Sequence, residues 1–158
     1  MSETLQFWIQ NPTTLRYTYV QSDHEDTDLS YTTHSFVWEQ ILTFQSFTVF
    51  LYNSFDINGY QNDESASNNS LTIRGDLLLP DFYQLFNPNL FLSTTQTKYT
   101  DNDERDSTSL ISYGFNLSRP LFKKVFINLS YSIEDQTGEI SSDTYKGSLI
   151  GLNLDYYY

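Results

Sequence analysis

The chain has 158 residues, 20 of them acidic and 8 basic, a formal net charge of −12 and no cysteine. Its length is that of one domain; so few basic residues argue against a nucleic-acid face, and the lack of thiols excludes disulfide staples and thiolate metal sites. One alanine, Ala66, against 13 Tyr, 12 Phe and 2 Trp disfavours helices, while the many Asn, Asp and Ser supply turns, so the expected architecture is all-β.

Taken in order, Thr4 to Gln10 alternates with Leu5, Phe7 and Ile9 on one side, and Asn11-Pro12-Thr13-Thr14 makes a turn. Leu15, Tyr17 and Tyr19 then oppose Arg16, Thr18 and Val20, the period of two of a half-buried strand. Residues 22–30 are acidic and turn-like. Residues 31–44 leave strand and helix both open, because Phe36, Trp38, Leu42 and Phe44 share a strand face with Gln40 while Val37 and Ile41 share the other with Glu39. Phe47, Val49 and Leu51 resume the alternation after a break at Gln45-Ser46, and the polar stretch 54–69 reads as a loop.

Residues 70–79 set Leu71, Ile73, Leu77 and Leu79 against Thr72, Arg74 and Asp76, ending at Pro80-Asp81. Residues 82–89 form a connector. Residues 90–99 read as a strand whose large residues, Phe91 and Tyr99, give it a poor lipid face, and the acidic loop 100–107 follows. Two clean strands come next. In the first, Ile111, Tyr113, Phe115 and Leu117 oppose Ser112, Gly114, Asn116 and Ser118. In the second, Val125, Ile127, Leu129, Tyr131 and Ile133 oppose Phe126, Asn128, Ser130 and Ser132. The short turn 119–124 joins them. After a polar stretch at 134–144, the last strand carries Ile150, Leu152, Leu154, Tyr156 and Tyr158 on one face.

That closing segment resembles the C-terminal strand of bacterial outer-membrane β-barrel proteins: a polar residue, then x-Gly-x-x, then two alternating hydrophobic residues, the last aromatic. Gly151, Leu154 and Tyr156 take these places, with Leu149 at the polar one and two residues to spare. Ending the pattern at Tyr158 puts Asn153 on the glycine. The resemblance implies an antiparallel up-and-down transmembrane β-barrel of about eight strands, recognised by the barrel-insertion machinery and embedded in outer-membrane lipid and lipopolysaccharide. No run approaches the roughly 20 apolar residues of a membrane helix, but a barrel's polar inner face dilutes its hydropathy. The start at Met1-Ser2-Glu3 has no signal-peptide character, so an exported protein would need its signal peptide already removed or replaced by a start methionine.

The loops carry an independent signal. Of the 20 acidic residues, 15 fall in the four longer connections 22–30, 54–69, 100–107 and 134–144, which alternate with short turns. Only 80–89 breaks this alternation. Long loops outside the cell and short turns in the periplasm are the outer-membrane arrangement. Nine segments qualify as strands, an odd number for a class that is usually even. The expected division is therefore an N-terminal periplasmic segment or extra strand at 1–13 and a barrel over 14–158, with the C-terminal part of a larger barrel as the alternative.

Lipid-facing positions are then Ile111, Tyr113, Phe115, Leu117, Ile127, Leu129, Tyr131, Ile150, Leu152, Leu154, Tyr156 and Tyr158. Arg16, Arg74 and Lys98 with Glu39 and Asp76 form a lumen ionic network, because a lone buried charge is costly. Arg119, Lys123 and Lys124 snorkel at the periplasmic surface. Asp101, Asp103 and Asp106 have the ligand density of a calcium loop but lack its glycine and distal glutamate; a solvated loop, or Ca²⁺ or Mg²⁺ bridging acidic loops to lipopolysaccharide, are the two readings. His34, Ser35 and Glu39 invite comparison with hydrolase triads, but adjacent strand residues face opposite ways, so no catalytic residue is expected. The functional expectation is a non-enzymatic outer-membrane barrel serving as surface anchor, adhesin or membrane stabiliser. The alternatives are part of a larger porin- or exporter-like barrel that transports solute, or a soluble β-barrel holding a small hydrophobic ligand.

Overall fold

The structure, a computed structural model, describes residues 2–7, 11–22, 30–60, 66–80, 86–100, 107–122, 125–138 and 143–156. They form nine strands: β1 (Ser2–Phe7), β2 (Thr13–Ser22), β3 (Tyr31–Thr43), β4 (Thr48–Tyr60), β5 (Asn68–Leu78), β6 (Asn87–Tyr99), β7 (Thr108–Phe122), β8 (Val125–Gly138) and β9 (Tyr145–Tyr156). Each pairs antiparallel with its neighbour in sequence, giving one up-and-down sheet in the order β1 to β9. The span 31–43 is strand throughout, so the helical alternative there is excluded. Its β-branched residues and the full ladder to β4, from Tyr31–Tyr60 to Thr43–Thr48, outweigh the imperfect alternation at Gln40.

Several strands are longer than their sequence pattern predicts. β4 runs on to Tyr60 and β5 begins at Asn68, so the expected loop at 54–69 contracts to 61–67. Asn58 and Asn68 face each other across the ladder and join by a side-chain hydrogen bond of 3.0 Å. Their amides are thereby satisfied within the sheet, where in isolation they favour a turn. β8 likewise extends through Glu134 and Asp135 to Gly138.

The sheet is not closed: its order is linear, with β1 and β9 at its two edges. With nine alternating strands, those edges run in the same direction. A β1–β9 junction would therefore be parallel, unlike every other junction in the sheet. The rows are also staggered. Pairing carries Thr13, at the start of β2, through Gln40, Leu51, Gly75, Leu92, Tyr113 and Ile133 to Ser148, near the opposite end of β9. Such slippage is how tilted strands generate the shear of a barrel wall.

Connections 23–30, 61–67, 100–107 and 139–144 leave from one end; 8–12, 44–47, 79–86 and 123–124 leave from the other. The first four, with the strand ends flanking them, hold 15 acids against Lys98, Arg105 and Lys146, and the remaining 5 acids are balanced by 5 bases. The whole net charge thus belongs to one end.

Candidate functional site: two unlike faces of one sheet

The ladder assigns every described position on β2 to β9 to a face. One is apolar. It carries Leu15, Tyr17, Phe36, Trp38, Leu42, Val49, Leu51, Phe55, Leu71, Ile73, Leu77, Leu90 and Leu92, and continues through Ile111, Tyr113, Phe115, Leu117, Ile127, Leu129, Tyr131, Ile150, Leu152, Leu154 and Tyr156. Among the described residues no hydrophobic side chain is buried. Ile150, Leu152 and Leu154 are 72, 68 and 68% exposed, whereas the buried residues are Ser30 and Ser54, at 3 and 6%. A water-soluble protein, by contrast, puts apolar residues inside. Tyr158 lies outside the described residues.

The apolar band has polar limits. At the acidic end, Lys146 pairs with Asp135 at 3.0 Å, and on β5 and β6 Lys98 and Asn69 face each other. A cluster of Tyr17, Tyr19 and His34 lies toward that end on β2 and β3, with the Tyr17 hydroxyl 2.8 Å from His34 Nδ1 and the Tyr19 ring 5.0 Å from the imidazole. At the short-turn end the Phe44 and Phe47 rings stack at 4.5 Å, and Arg119 lies over Phe86 at 5.6 Å; Lys123 and Lys124 are outside the described residues. On β8 the band runs from Val125 to Ile133. That is roughly 26 Å of strand at about 3.3 Å per residue, or about 20 Å of height at a tilt near 40°, somewhat under the apolar band of about 25 Å seen on membrane barrels.

The opposite face carries the ion pairs. Arg16 reaches Glu39 at 3.1 Å. Arg74 makes two hydrogen bonds to Asp76, at 2.7 and 2.8 Å, and Asn89 adds a third to the same carboxylate at 3.2 Å. Between the pairs stands Tyr52, opposite both Glu39 and Arg74. Phe50 and Phe91 flank Asp76, and the Arg74 guanidinium lies 5.1 Å from the Phe91 ring centre, a cation–π arrangement. Hydroxyls fill in: Thr72 bonds Thr95 at 3.0 Å, and Thr33 donates to Asn58 at 2.9 Å.

Four of the five residues expected in the ionic network therefore meet as two pairs, and Lys98 does not join them. It sits on the apolar side near the acidic end, because Leu90 and Leu92, opposite Leu77 and Gly75, fix β6 with its even-numbered residues on that side. Phe91 and Tyr99 accordingly belong to the polar face. The alternation within β6 could not reveal this, since large side chains occur on both its faces. Tyr52 and Phe50, central to the polar face, escaped sequence reasoning because β4 is apolar on both sides at that point.

The comparison with hydrolase triads fails on geometry. His34 is held by Tyr17 on the apolar side, while Ser35 and Glu39 lie on the other, Glu39 engaged with Arg16. Asp101, Asp103 and Asp106 lie outside the described residues, among which no three His or acidic side chains cluster as metal ligands do. The chain matches no protein-family model, no curated protein and no solved structure.

Proposed function

We propose that this chain is the wall of a bacterial outer-membrane β-barrel, non-enzymatic, with its apolar face in lipid and its acidic end outside the cell. The observation that carries the reading is a one-layer sheet with no apolar side chain buried among its described residues, its large apolar side chains gathered on one face and its ion pairs on the other. In water such a face far exceeds the apolar patches that monomeric proteins expose. In a bilayer it is the expected exterior of a barrel. Outer-membrane lipid and lipopolysaccharide are then its partners, and the barrel-insertion machinery reads its last strand.

Two features favour the wall of a larger, solute-conducting barrel over a small plugged anchor. The edge strands run in the same direction, so antiparallel closure across them takes an odd number of further strands. An eight-stranded barrel also fills its interior with side chains, yet β7 to β9 present the small residues Ser112, Gly114, Ser130, Ser132, Gly147 and Gly151 to that side, with Leu149 between the last two. Refolding tests the membrane reading: the protein should fold only with detergent or lipid and migrate differently on gels before and after heating. Folding in plain buffer overturns it. Planar-bilayer recording then separates a conducting wall from a closed anchor.

A further inference from the structure

We infer that the polar face holds a binding site for a neutral polyhydroxylated solute, a short oligosaccharide, centred on Tyr52. The inference rests on the barrel-wall reading only in taking this face to line a passage. Two open-faced cavities, of about 490 and 340 Å³, lie side by side and share Phe50 and Tyr52 as their common wall. The larger is completed by Arg74, Asp76 and Leu78; the smaller holds Glu39, Ile41 and Thr14. Each cavity thus joins an aromatic ridge to a carboxylate, Asp76 or Glu39.

Charge selects the ligand class. Arg74 is committed to Asp76, and Arg16 to Glu39, so the two pairs present no net charge to attract an ion. Polar groups remain for a neutral ligand. The Tyr52 hydroxyl has no partner among the described residues, and the carboxylates retain lone pairs that accept further hydrogen bonds. A pyranose ring offers a flat C–H face to an aromatic ring and a rim of hydroxyls to donors and acceptors beside it. Successive rings of a linear sugar would lie on either side of the Tyr52–Phe50 ridge. This is the general pattern of a ligand site, apolar walls with a few placed polar groups.

The test is equilibrium binding of cellotriose to the intact protein, folded in an amine-oxide detergent that carries no sugar headgroup. Glucose 6-phosphate serves as a charged comparison. Saturable cellotriose binding is expected, weakened at least about tenfold by Tyr52→Ala, a factor equivalent to one aromatic contact. Tyr52→Phe, which keeps the ring, should lose much less. Heat-modifiable migration of each variant reports folding separately, so a protein that folds in detergent but binds no cellotriose overturns the site and leaves the barrel reading standing. Binding unchanged in Tyr52→Ala, or tighter binding of the phosphate ester, also overturns it.

Discussion

Arg74 and Asp76 stand two positions apart on β5, on the same side of the strand, and are joined by two hydrogen bonds of 2.7 and 2.8 Å. Residues at this spacing point the same way, so the pair is set by one strand alone and does not depend on how the sheet closes. Asp76→Ala should destabilise the protein by about 1–2 kcal/mol, since the stranded guanidinium remains partly solvated. The double change Arg74→Leu with Asp76→Leu should cost less than the sum of the single changes. Urea midpoints in lipid vesicles measure both.

Leu129 sits in the middle of the apolar band, between Leu117 and Leu152 in the ladder. Leu129→Arg should lose roughly 2–4 kcal/mol in vesicles, the cost of a charge at mid-bilayer depth. Thr72→Ser on the polar face should stay within about 0.5 kcal/mol. Equal costs at the two positions would contradict the assignment of faces.

Gly114 has no room for a side chain. A Cβ there would fall on the Tyr131 carbonyl oxygen and come within 2.8 Å of the Ser132 Cα, whereas at Gly75 the nearest atom is a Leu51 methyl at 3.9 Å. Because the obstruction at Gly114 is backbone, Gly114→Ala should cost about 3 kcal/mol by overpacking and shift β7 against β8. Gly75→Ala should be close to neutral. The fraction refolded, read by heat-modifiable migration, distinguishes them.

The absence of cysteine permits single-site labelling. In intact cells, Asp143→Cys at the acidic end should react with a membrane-impermeant maleimide, and Gln45→Cys at the short-turn end should react only after lysis. The reverse pattern would invert the proposed orientation.

The strands β7, β8 and β9 were legible because one face of each alternates without a break and the residues opposing it are mostly small or polar, Leu110, Phe126 and Leu149 apart. β6 was legible as a strand but not in its facing, since Leu90, Phe91 and Leu92 are consecutive and only the neighbours' register decides between them. The ends of β4 and β5 were hidden by Asn58-Gly59 and Asn68-Asn69, turn-forming in isolation and strand-forming once their side chains bond across the ladder. Of the candidate site, the charged members Arg16, Glu39, Arg74 and Asp76 announced themselves as ions in apolar strands. Their pairing and the aromatic ridge between them depend on contacts across strands, which a linear pattern does not contain.

A sheet one layer thick, with no apolar side chain enclosed among its described residues, has no interior to supply its cohesion. Under the membrane reading, the solvent for its large side chains is hydrocarbon, so any unfolding free energy is a transfer measurement as much as a folding one. Its magnitude is then set jointly by the chain and the host lipid. With about 20 Å of apolar height on β8, acyl chains slightly shorter than those of an average bilayer should suit it best, since mismatch costs fractions of a kcal/mol per ångström.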